Sequence, residues 1–305
     1  MIKTVFMGTP EFAVAPLEVL IKNTEVTLVV AQPDKYVGRK KILTPSPVKV
    51  KAMEHNIPVF QPTKIRQDYE AIKDANPDLI VTCAYGQILP KEVLDIPRLG
   101  CINIHASLLP KYRGGAPIEY AIMNGEEETG ITIMYMDERM DTGDIILSQK
   151  IPIESSDNII TMHEKLSHLG ASLLESVLPS IINGTNTRVK QDDTLATYAP
   201  TIKREEEHID FHKKGMEVFN QVRALYPRSY FLLNNEEIKV LDGYVGENTN
   251  MNIGSISLKK DAIGIACSDK IYYITKLKPF GKKEMTAKDY LNGISHEKLL
   301  NSKIG

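Results

Sequence analysis

The feature that most constrains this chain is the regular alternation of short apolar segments with helix-like segments in its first half. The apolar segments are rich in Val and Ile and largely lack polar alternation, which is typical of strands buried on both faces of a sheet. They span residues 2–7, 26–31, 58–60, 79–83 and 101–105. Because strands joined through helices pair in parallel, the pattern predicts an α/β domain with a Rossmann-like, doubly wound and mostly parallel sheet. Two further strands are expected at 131–135 and 145–151.

Helix boundaries are marked by proline and by small polar residues. Thr9-Pro10 and Ser46-Pro47 each place a capping hydroxyl before a first-turn proline, which predicts helices to about residue 22 and toward residue 55. A longer helix is predicted over 159–182, and Asn183-Gly184 should end it.

Chain length and a change of pattern indicate two domains. The chain has 305 residues, and single hydrophobic cores stop growing near about 250 residues. We predict a catalytic domain at 1–184, a polar, non-periodic linker at 185–207 and a small β-rich domain at 208–305. The strand-like segments of that last domain are 230–233, 238–241, 263–266 and 271–277, which alternate with Gly and Asn turns.

Composition narrows the compartment and the chemistry. No apolar run approaches the ~20 residues that cross a bilayer, and the amino terminus lacks the order of a signal peptide. Cys83, Cys101 and Cys267 are widely spaced, without a CxxC pair or a clustered histidine, so we expect buried thiols rather than disulfides or a metal site. A monomeric, cytoplasmic protein with no metal and no membrane partner is expected.

An α/β sheet of this type first suggests a nucleotide cofactor. The motif that binds such a cofactor would lie in the turn after the first strand. A dinucleotide site needs GxGxxG, because the later glycines let the backbone approach the pyrophosphate. Here Pro10 and Phe12 fill that region after Gly8, and no GxxxxGK[ST] loop occurs. An NAD-dependent enzyme or a P-loop NTPase is therefore disfavoured.

Asn103 and His105 form a candidate catalytic pair. Residues two apart on a strand face the same way, and these lie at the carboxyl end of a predicted strand, where open α/β sheets bind ligands. An amide donor beside an imidazole can stabilise the negative charge that develops on a carbonyl oxygen under attack. An isolated pair of this kind is more often a strand end with a structural histidine. The choice between a catalytic and a structural interpretation therefore depends on the neighbouring segments.

Two polar segments add to the pair. The turn at 107–110 leads into a cationic loop at 111–117, and an Asp-rich segment at 137–144 separates two predicted strands. Asp141 of that segment could accept a hydrogen bond from His105 and fix the orientation of its ring. Asp and Gly are also common in turns between strands, so the pattern by itself leaves both interpretations open.

These segments together resemble the signature of folate-dependent formyltransferases. The resemblance is carried by Asn103-Ile104-His105, Ser107-Leu108-Leu109-Pro110, Tyr112-Arg113-Gly114 and Asp141-Thr142-Gly143-Asp144. It implies the formyltransferase fold, 10-formyltetrahydrofolate as formyl donor, and a catalytic set at Asn103, His105 and Asp141. It also implies folate contacts by two segments, which are Ser107, Leu108, Leu109 and Pro110, and Tyr85, Gly86, Gln87 and Ile88.

A basic segment indicates the formyl acceptor. Residues 35–51 include six basic side chains and no acidic one, which suits contacts to nucleic-acid phosphates. The segment resembles the insertion by which one branch of the family contacts initiator methionyl-tRNA, which implies tRNA contacts by Lys35, Arg39, Lys40 and Lys41. The carboxyl domain of that branch is an OB-like β-barrel that binds tRNA. The resemblance therefore implies formylation of the α-amine of methionyl initiator tRNA, for translation initiation.

The chain departs from the family's sequence pattern at two points, and two alternative functions stay open. The chain has no Trp, and 225–230 differs from the family's usual Asn-Pro-Trp-Pro segment, so altered RNA contacts are expected in the carboxyl domain. A sugar-nucleotide amine is an alternative acceptor, although it would not need a basic insertion. A non-catalytic tRNA-binding protein is the second alternative, which the intact Asn/His/Asp set disfavours.

Overall fold

The structure is a computed structural model that describes residues 1–38 and 40–305, and it divides into two compact units. Unit 1 comprises Met1–Pro117, Glu128–Pro152 and Met162–Pro200, and unit 2 comprises Ile118–Glu127, Ile153–Thr161 and Thr201–Gly305. The strands are β1 (Lys3–Gly8), β2 (Glu25–Val30), β3 (Lys35–Val37), β4 (Ile42–Thr44), β5 (Val59–Phe60), β6 (Leu79–Cys83), β7 (Cys101–His105), β8 (Glu128–Tyr135), β9 (Ile145–Pro152), β10 (Tyr230–Leu233), β11 (Glu236–Asn248), β12 (Ile256–Leu258), β13 (Ile263–Ala266), β14 (Lys270–Pro279) and β15 (Met285–Thr286). The helices are α1 (Val14–Asn23), α2 (Pro47–Glu54), α3 (Glu70–Asp74), α4 (Lys91–Leu94), α5 (Pro117–Met123), α6 (Ile159–Ile182), α7 (Gly215–Ala224), α8 (Ala287–Asn292) and α9 (His296–Leu300). Within the described residues, none of these helices combines the length and apolarity needed to cross a bilayer.

The main sheet of unit 1 has seven strands in the order β5-β2-β1-β6-β7-β8-β9. The five strands from β5 to β7 pair in parallel. The pairs β7-β8 and β8-β9 are antiparallel. The predicted Rossmann-like, mostly parallel sheet is therefore confirmed, and it carries two antiparallel strands at one edge.

Helices cover both faces of this sheet. On one face, Val5 and Met7 of β1 and Cys101 of β7 share a hydrophobic core with residues of α3 and α4. On the other face, α6 passes so close to β7 that a Cβ at Gly170 would lie 2.9 Å from Ile104 Cγ2. The strands are consequently buried on both sides, which explains their nearly continuous apolar sequence.

The predicted helix caps have different outcomes. The Ser46 cap is confirmed, because its side chain accepts a hydrogen bond from Lys49 N at 3.2 Å at the start of α2. The Thr9 cap is wrong, because a 3-10 turn at Glu11–Ala13 precedes α1 and has no side-chain cap. Thr9 Oγ1 instead accepts from Gln32 N at 3.2 Å, which joins the loops after β1 and β2. The predicted end of α6 at residue 182 is confirmed.

Unit 2 contains a curled antiparallel sheet in the order β10-β11-β14-β13-β12, with β15 paired to β14. The pairing of β11 with β14 shifts register near Val240 and Asp242, and such irregularities let long strands bend. Residues of one face, including Ile265 and Tyr272, form a core with Val218 of α7. The predicted OB-like domain is therefore present as a half-barrel.

Candidate active site

Asn103 and His105 lie at the carboxyl edge of the parallel strands. The strand that carries them, β7, has the bounds that the sequence predicts. Since side chains alternate along a strand, both residues share the face of Cys101 and not that of Ile104. His105 is 5% exposed and Asn103 is half-buried, so the pair lies between the apolar core and the edge of the sheet.

The carboxamide of Asn103 is oriented by the neighbouring strand. Thr82 of β6 is the direct register partner of Asn103, and its side chain is buried. The hydroxyl of Thr82 lies 2.8 Å from Asn103 Oδ1. Because a carboxamide oxygen only accepts hydrogen bonds, the hydroxyl donates to it and the NH₂ side of the amide turns away from β6. An oriented NH₂ group is the kind of donor that stabilises a developing oxyanion.

The imidazole of His105 is fixed by a backbone carbonyl. Its Nε2 lies 2.9 Å from the Tyr112 carbonyl oxygen, which only accepts, so Nε2 carries a proton. Nδ1 is then the nitrogen that can gain or release a proton. It lies 3.7 Å from Asp141 Oδ2. That distance is within ion-pair range but too long for the predicted hydrogen bond, so the carboxylate can reach this ring only through its charge.

Asp141 belongs to a loop whose backbone has an unusual conformation and little free space. Its φ angle of 56° is in the left-handed region, and its Oδ2 accepts a hydrogen bond from Gly114 N at 2.8 Å. The Thr142 hydroxyl donates to the Asp137 carboxylate at 2.6 Å and closes the loop. At Gly143 a Cβ would lie well inside van der Waals contact with the Tyr135 carbonyl oxygen. The Asp-Thr-Gly-Asp sequence therefore needs glycine here for space.

The turn at 107–110 is held by Thr132 of β8. The Thr132 hydroxyl donates to Ser107 O at 2.7 Å and accepts from Leu109 N at 3.1 Å. Ser107 and Leu109 are buried, whereas Leu108 and Pro110 are half-buried. Of the four residues in this turn predicted to contact folate, Leu108 and Pro110 thus have the accessible side chains.

The segment after β6 likewise contains both buried and exposed residues. Tyr85 is buried, and burial raises the pKa of its hydroxyl to about 12. The Gln87 side chain accepts from Ile65 N at 2.9 Å, which ties the segment to the loop before α3. Gly86 and Ile88 are exposed. Among the four predicted folate residues of this segment, these two are open to a ligand.

An open cleft of about 810 Å³ lies at the amino-terminal end of β7, where residues 97–101 and 135–139 line it. Its apolar lining includes Leu94, Cys101 and Met136. Its charged lining is of mixed sign, with Lys91, Arg98, Arg139 and Arg188 beside Asp95, Asp137 and Glu138. Sequence analysis missed this cleft, and none of the eight predicted folate residues lines it. Met136 connects it to the site, because its sulfur lies 3.2 Å from the Thr82 hydroxyl that orients Asn103.

The thiol of Cys101 is close enough to the pair to be considered as a nucleophile. It is 3% exposed, and burial raises its pKa to about 12. Since the thiolate is the reactive form, this cysteine is inert at neutral pH. The amide, the imidazole and the carboxylate are therefore the candidate groups for chemistry at this edge.

The basic segment forms an exposed hairpin of β3 and β4. Lys35, Lys40 and Lys41 are exposed. By contrast, Lys49 pairs with Asp34 at 2.6 Å, and Lys51 pairs with Glu18 at 2.9 Å. Arg39, which was also predicted to contact tRNA, lies outside the described residues. Three of the described lysines therefore present their charge at the hairpin.

The base of the hairpin is fixed by a half-buried polar network. Gln61 donates to Asp34 Oδ1 at 2.8 Å, and Lys49 donates to Gln61 Oε1 at 2.8 Å. The hydrogen bonds from Gln61 and Lys49 hold the pKa of Asp34 below its usual value. Asp34 therefore stays ionised and keeps the base of the hairpin in place.

Comparison with known proteins gives two matches to family descriptions. "Formyl transferase" matches residues 2–178, and "Formyl transferase, C-terminal domain" matches residues 201–295. A protein of Staphylococcus epidermidis named methionyl-tRNA formyltransferase is 49% identical over 300 residues, which cover 96% of this chain and 97% of the relative. A protein of the same name from Staphylococcus aureus is 50% identical, with 96% of each chain covered.

Solved structures share the fold at low identity. WlaRD, a sugar 3N-formyl transferase crystallised with dTDP and 5-N-formyl-THF, has a TM-score of 0.70 and 24% identity, and the match covers 93% of this chain and 99% of WlaRD. HypX from Aquifex aeolicus in complex with tetrahydrofolic acid has a TM-score of 0.64 and 17% identity, with coverage of 95% and 47%. Identities this low indicate a common fold and leave the acceptor open.

Proposed function

This chain belongs to the formyl transferase family, and from that premise we propose that it transfers a formyl group from 10-formyltetrahydrofolate to the α-amino group of methionine on initiator tRNA. The observation that carries the proposal is the identity of about half of all residues, over almost the whole length, to proteins named methionyl-tRNA formyltransferase. The exposed lysines of the β3-β4 hairpin support a nucleic-acid acceptor.

The proposed reaction begins with attack of the neutral amine on the formyl carbon. A C–N bond forms, and the formyl oxygen becomes an oxyanion. The NH₂ group of Asn103, turned away from β6 by Thr82, donates to that oxygen. Neutral His105, with Nε2–H held by the Tyr112 carbonyl, presents an unprotonated Nδ1 that can take the proton of the attacking amine.

Collapse of the tetrahedral intermediate breaks the bond between the formyl carbon and N10 of the folate. The attacking amine loses a proton and N10 gains one, so the step needs a group that can pass a proton between two nitrogens. His105 can take it at Nδ1 and then give it to N10, and the carboxylate of Asp141 lies 3.7 Å from Nδ1 as a counter-charge. Tetrahydrofolate and formyl-methionyl-tRNA are the products.

We propose that the folate ring system enters the cleft lined by Leu94, Cys101 and Met136. Its apolar floor suits a heteroaromatic ring. The segments 85–88 and 107–110 follow neighbouring strands at the same edge of the sheet. They would border the ligand, as the family resemblance implies.

The same proposal assigns a function to each domain of the chain. We assign catalysis to residues 1–184, a linker to 185–207 and tRNA binding to 208–305. The curled sheet of unit 2 and its strongly exposed Phe280 support a role in RNA binding, since exposed aromatic rings stack on bases.

The acceptor can be tested directly. Purified protein is incubated with 10-formyltetrahydrofolate and either methionyl initiator tRNA or a dTDP-linked amino sugar. We expect formyl-methionyl-tRNA and no formylated sugar. Turnover with the sugar alone would replace the proposed acceptor, and binding of tRNA without turnover would favour a non-catalytic tRNA-binding protein.

Neutralising the described lysines of the hairpin should weaken tRNA binding in a salt-dependent way. In Lys35→Ala/Lys40→Ala/Lys41→Ala, up to three phosphate contacts are lost, so the slope of log K against log salt should flatten by about 2–3. A matched triple variant at Lys22, Lys73 and Lys150, which pair with surface carboxylates elsewhere in unit 1, should keep the wild-type slope. Equal slopes in both variants would remove the hairpin from the tRNA interface.

A further inference from the structure

Gln191 uses every hydrogen-bonding group of its side chain on two loops of the candidate site. Its Nε2 donates to the carbonyl oxygens of Asp141 and Gly143, at 2.9 and 2.8 Å. Its Oε1 accepts from Nε and Nη2 of Arg113, at 3.1 and 2.8 Å. A single side chain thus joins the Asp141 loop to the loop after the turn at 107–110.

The two joined loops hold the two ends of the His105–Asp141 pair. The Arg113 loop supplies the Tyr112 carbonyl that accepts from His105, and Gly114 N that donates to Asp141. A shift of either loop would therefore change the direction of the His105 ring or its distance from the carboxylate. Asp141 also has a φ of 56°, a conformation that a non-glycine residue keeps only where its surroundings enforce it.

Backbone contacts strengthen the same connection. Arg113 N donates to Thr197 O at 2.9 Å, and Ala199 N donates to Arg113 O at 2.7 Å. The Thr197 hydroxyl accepts from Tyr112 N at 2.8 Å. The segment that contains Gln191 is therefore bonded along its length to the loop that orients His105. Arg113 itself is 2% exposed, which leaves it positioned to support the loop and not to meet a ligand in solvent.

We propose that Gln191 is a positioning residue for the formyl-transfer site, which rests on the function proposed above. It keeps the Asp141 and Arg113 loops at a fixed separation, and so keeps Nδ1 of His105 in place for proton transfer. It acts through these loops, and its amide is fully engaged with them. The chemical requirement is specific, because the site needs two N–H donors toward two carbonyl oxygens and one acceptor toward a guanidinium.

Gln191→Glu and Gln191→Met separate these requirements. Glutamate keeps an acceptor for Arg113 but turns a second oxygen toward the carbonyl oxygens of Asp141 and Gly143, and methionine of similar length keeps neither bond. We expect kcat to fall at least about 10-fold in both variants, with KM for tRNA and for the folate unchanged, because misplacement of a catalytic group by an ångström costs rate. The ring resonances of His105 at fixed pH should also move in both spectra.

Asp192→Asn is the matched control. Asp192 is adjacent in sequence and exposed, and its carboxylate accepts from Thr194 N at 2.9 Å within its own turn. Its kcat and the His105 resonances should match those of the wild type. If the folded Gln191 variants keep wild-type kcat and His105 resonances, or lose only stability, the inference is overturned. Inactive wild-type protein would instead refute the proposed acceptor, and the His105 resonances would still decide the role of Gln191.

Discussion

Asn103→Ala should lower kcat for formyl transfer by about 10²–10³-fold, because it removes an oriented donor from the oxyanion. The orientation exists before substrate binds, since the Thr82 hydroxyl occupies the amide oxygen and turns the NH₂ group outward. A donor that needs no reorganisation stabilises the transition state more than the ground state. KM for both substrates should therefore change little. The measurement is steady-state formylation of methionyl-tRNA over a range of both substrates.

Asn103→Asp is the second variant, and it separates the donor from the space that the side chain fills. Aspartate has nearly the same shape but presents a negative oxygen to the developing oxyanion, so its kcat should be no higher than that of Asn103→Ala. The lost bond to Thr82 should cost only about 1 kcal/mol of unfolding free energy in the alanine variant. A folded Asn103→Ala protein with near-normal kcat would exclude Asn103 from catalysis.

The sequence predicts the fold of unit 1 well where burial sets the pattern. Strands β6 and β7 have the predicted bounds, because strands buried on both faces leave uninterrupted apolar runs. The hairpin of β3 and β4 was not predicted, because its strands are three residues long and fully exposed. Hydrophobic periodicity carries no signal for such strands. The antiparallel direction of β8 was not predicted either, because the hydrophobic pattern indicates which residues are buried and not how strands pair.

The candidate site could be predicted only in part, for a related reason. Alternation along one strand puts Asn103 and His105 on one face, and this needs no knowledge of the rest of the fold. The position of Asp141 depends on how its loop returns to β7, and the 3.7 Å separation from His105 follows from that path. Gln191 lies in a polar segment without periodicity. Its contacts span about 50 and 80 residues of chain, which no local pattern records.

The contrast between Asn103 and Gln191 shows what a catalytic motif leaves out. Motif residues are recognisable because their chemistry is unusual for their place in the chain, such as an amide and an imidazole on an apolar strand. A residue that holds loops together is recognisable only from its hydrogen bonds. Thr82 and Thr132 belong to this second group, since each places a hydroxyl on a neighbouring strand where a loop or side chain of the site must be fixed.

Gly143→Ala should disrupt the site without touching any group that reacts. A methyl group at this position would meet the Tyr135 carbonyl oxygen, and backbone atoms on that side cannot rotate away as a side chain would. The clash is not easily relieved, because Tyr135 N donates to Asp144 O at 2.9 Å and Gln191 donates to Gly143 O. The loop must therefore move as a unit, and Asp141 moves with it.

We expect Gly143→Ala to lose about 1–3 kcal/mol of unfolding free energy, which is typical of an added methylene in a packed site. Its kcat should fall about 100-fold, since displacing Asp141 alters the charge that acts on His105. Gly293→Ala is the matched control, because a Cβ there would have its nearest neighbour at 3.7 Å. That variant should stay within about 0.5 kcal/mol of the wild type and keep its turnover. If Gly143→Ala loses stability but keeps kcat, the position of Asp141 is not what limits proton transfer, and the carboxylate would have to be assigned a structural role in the loop.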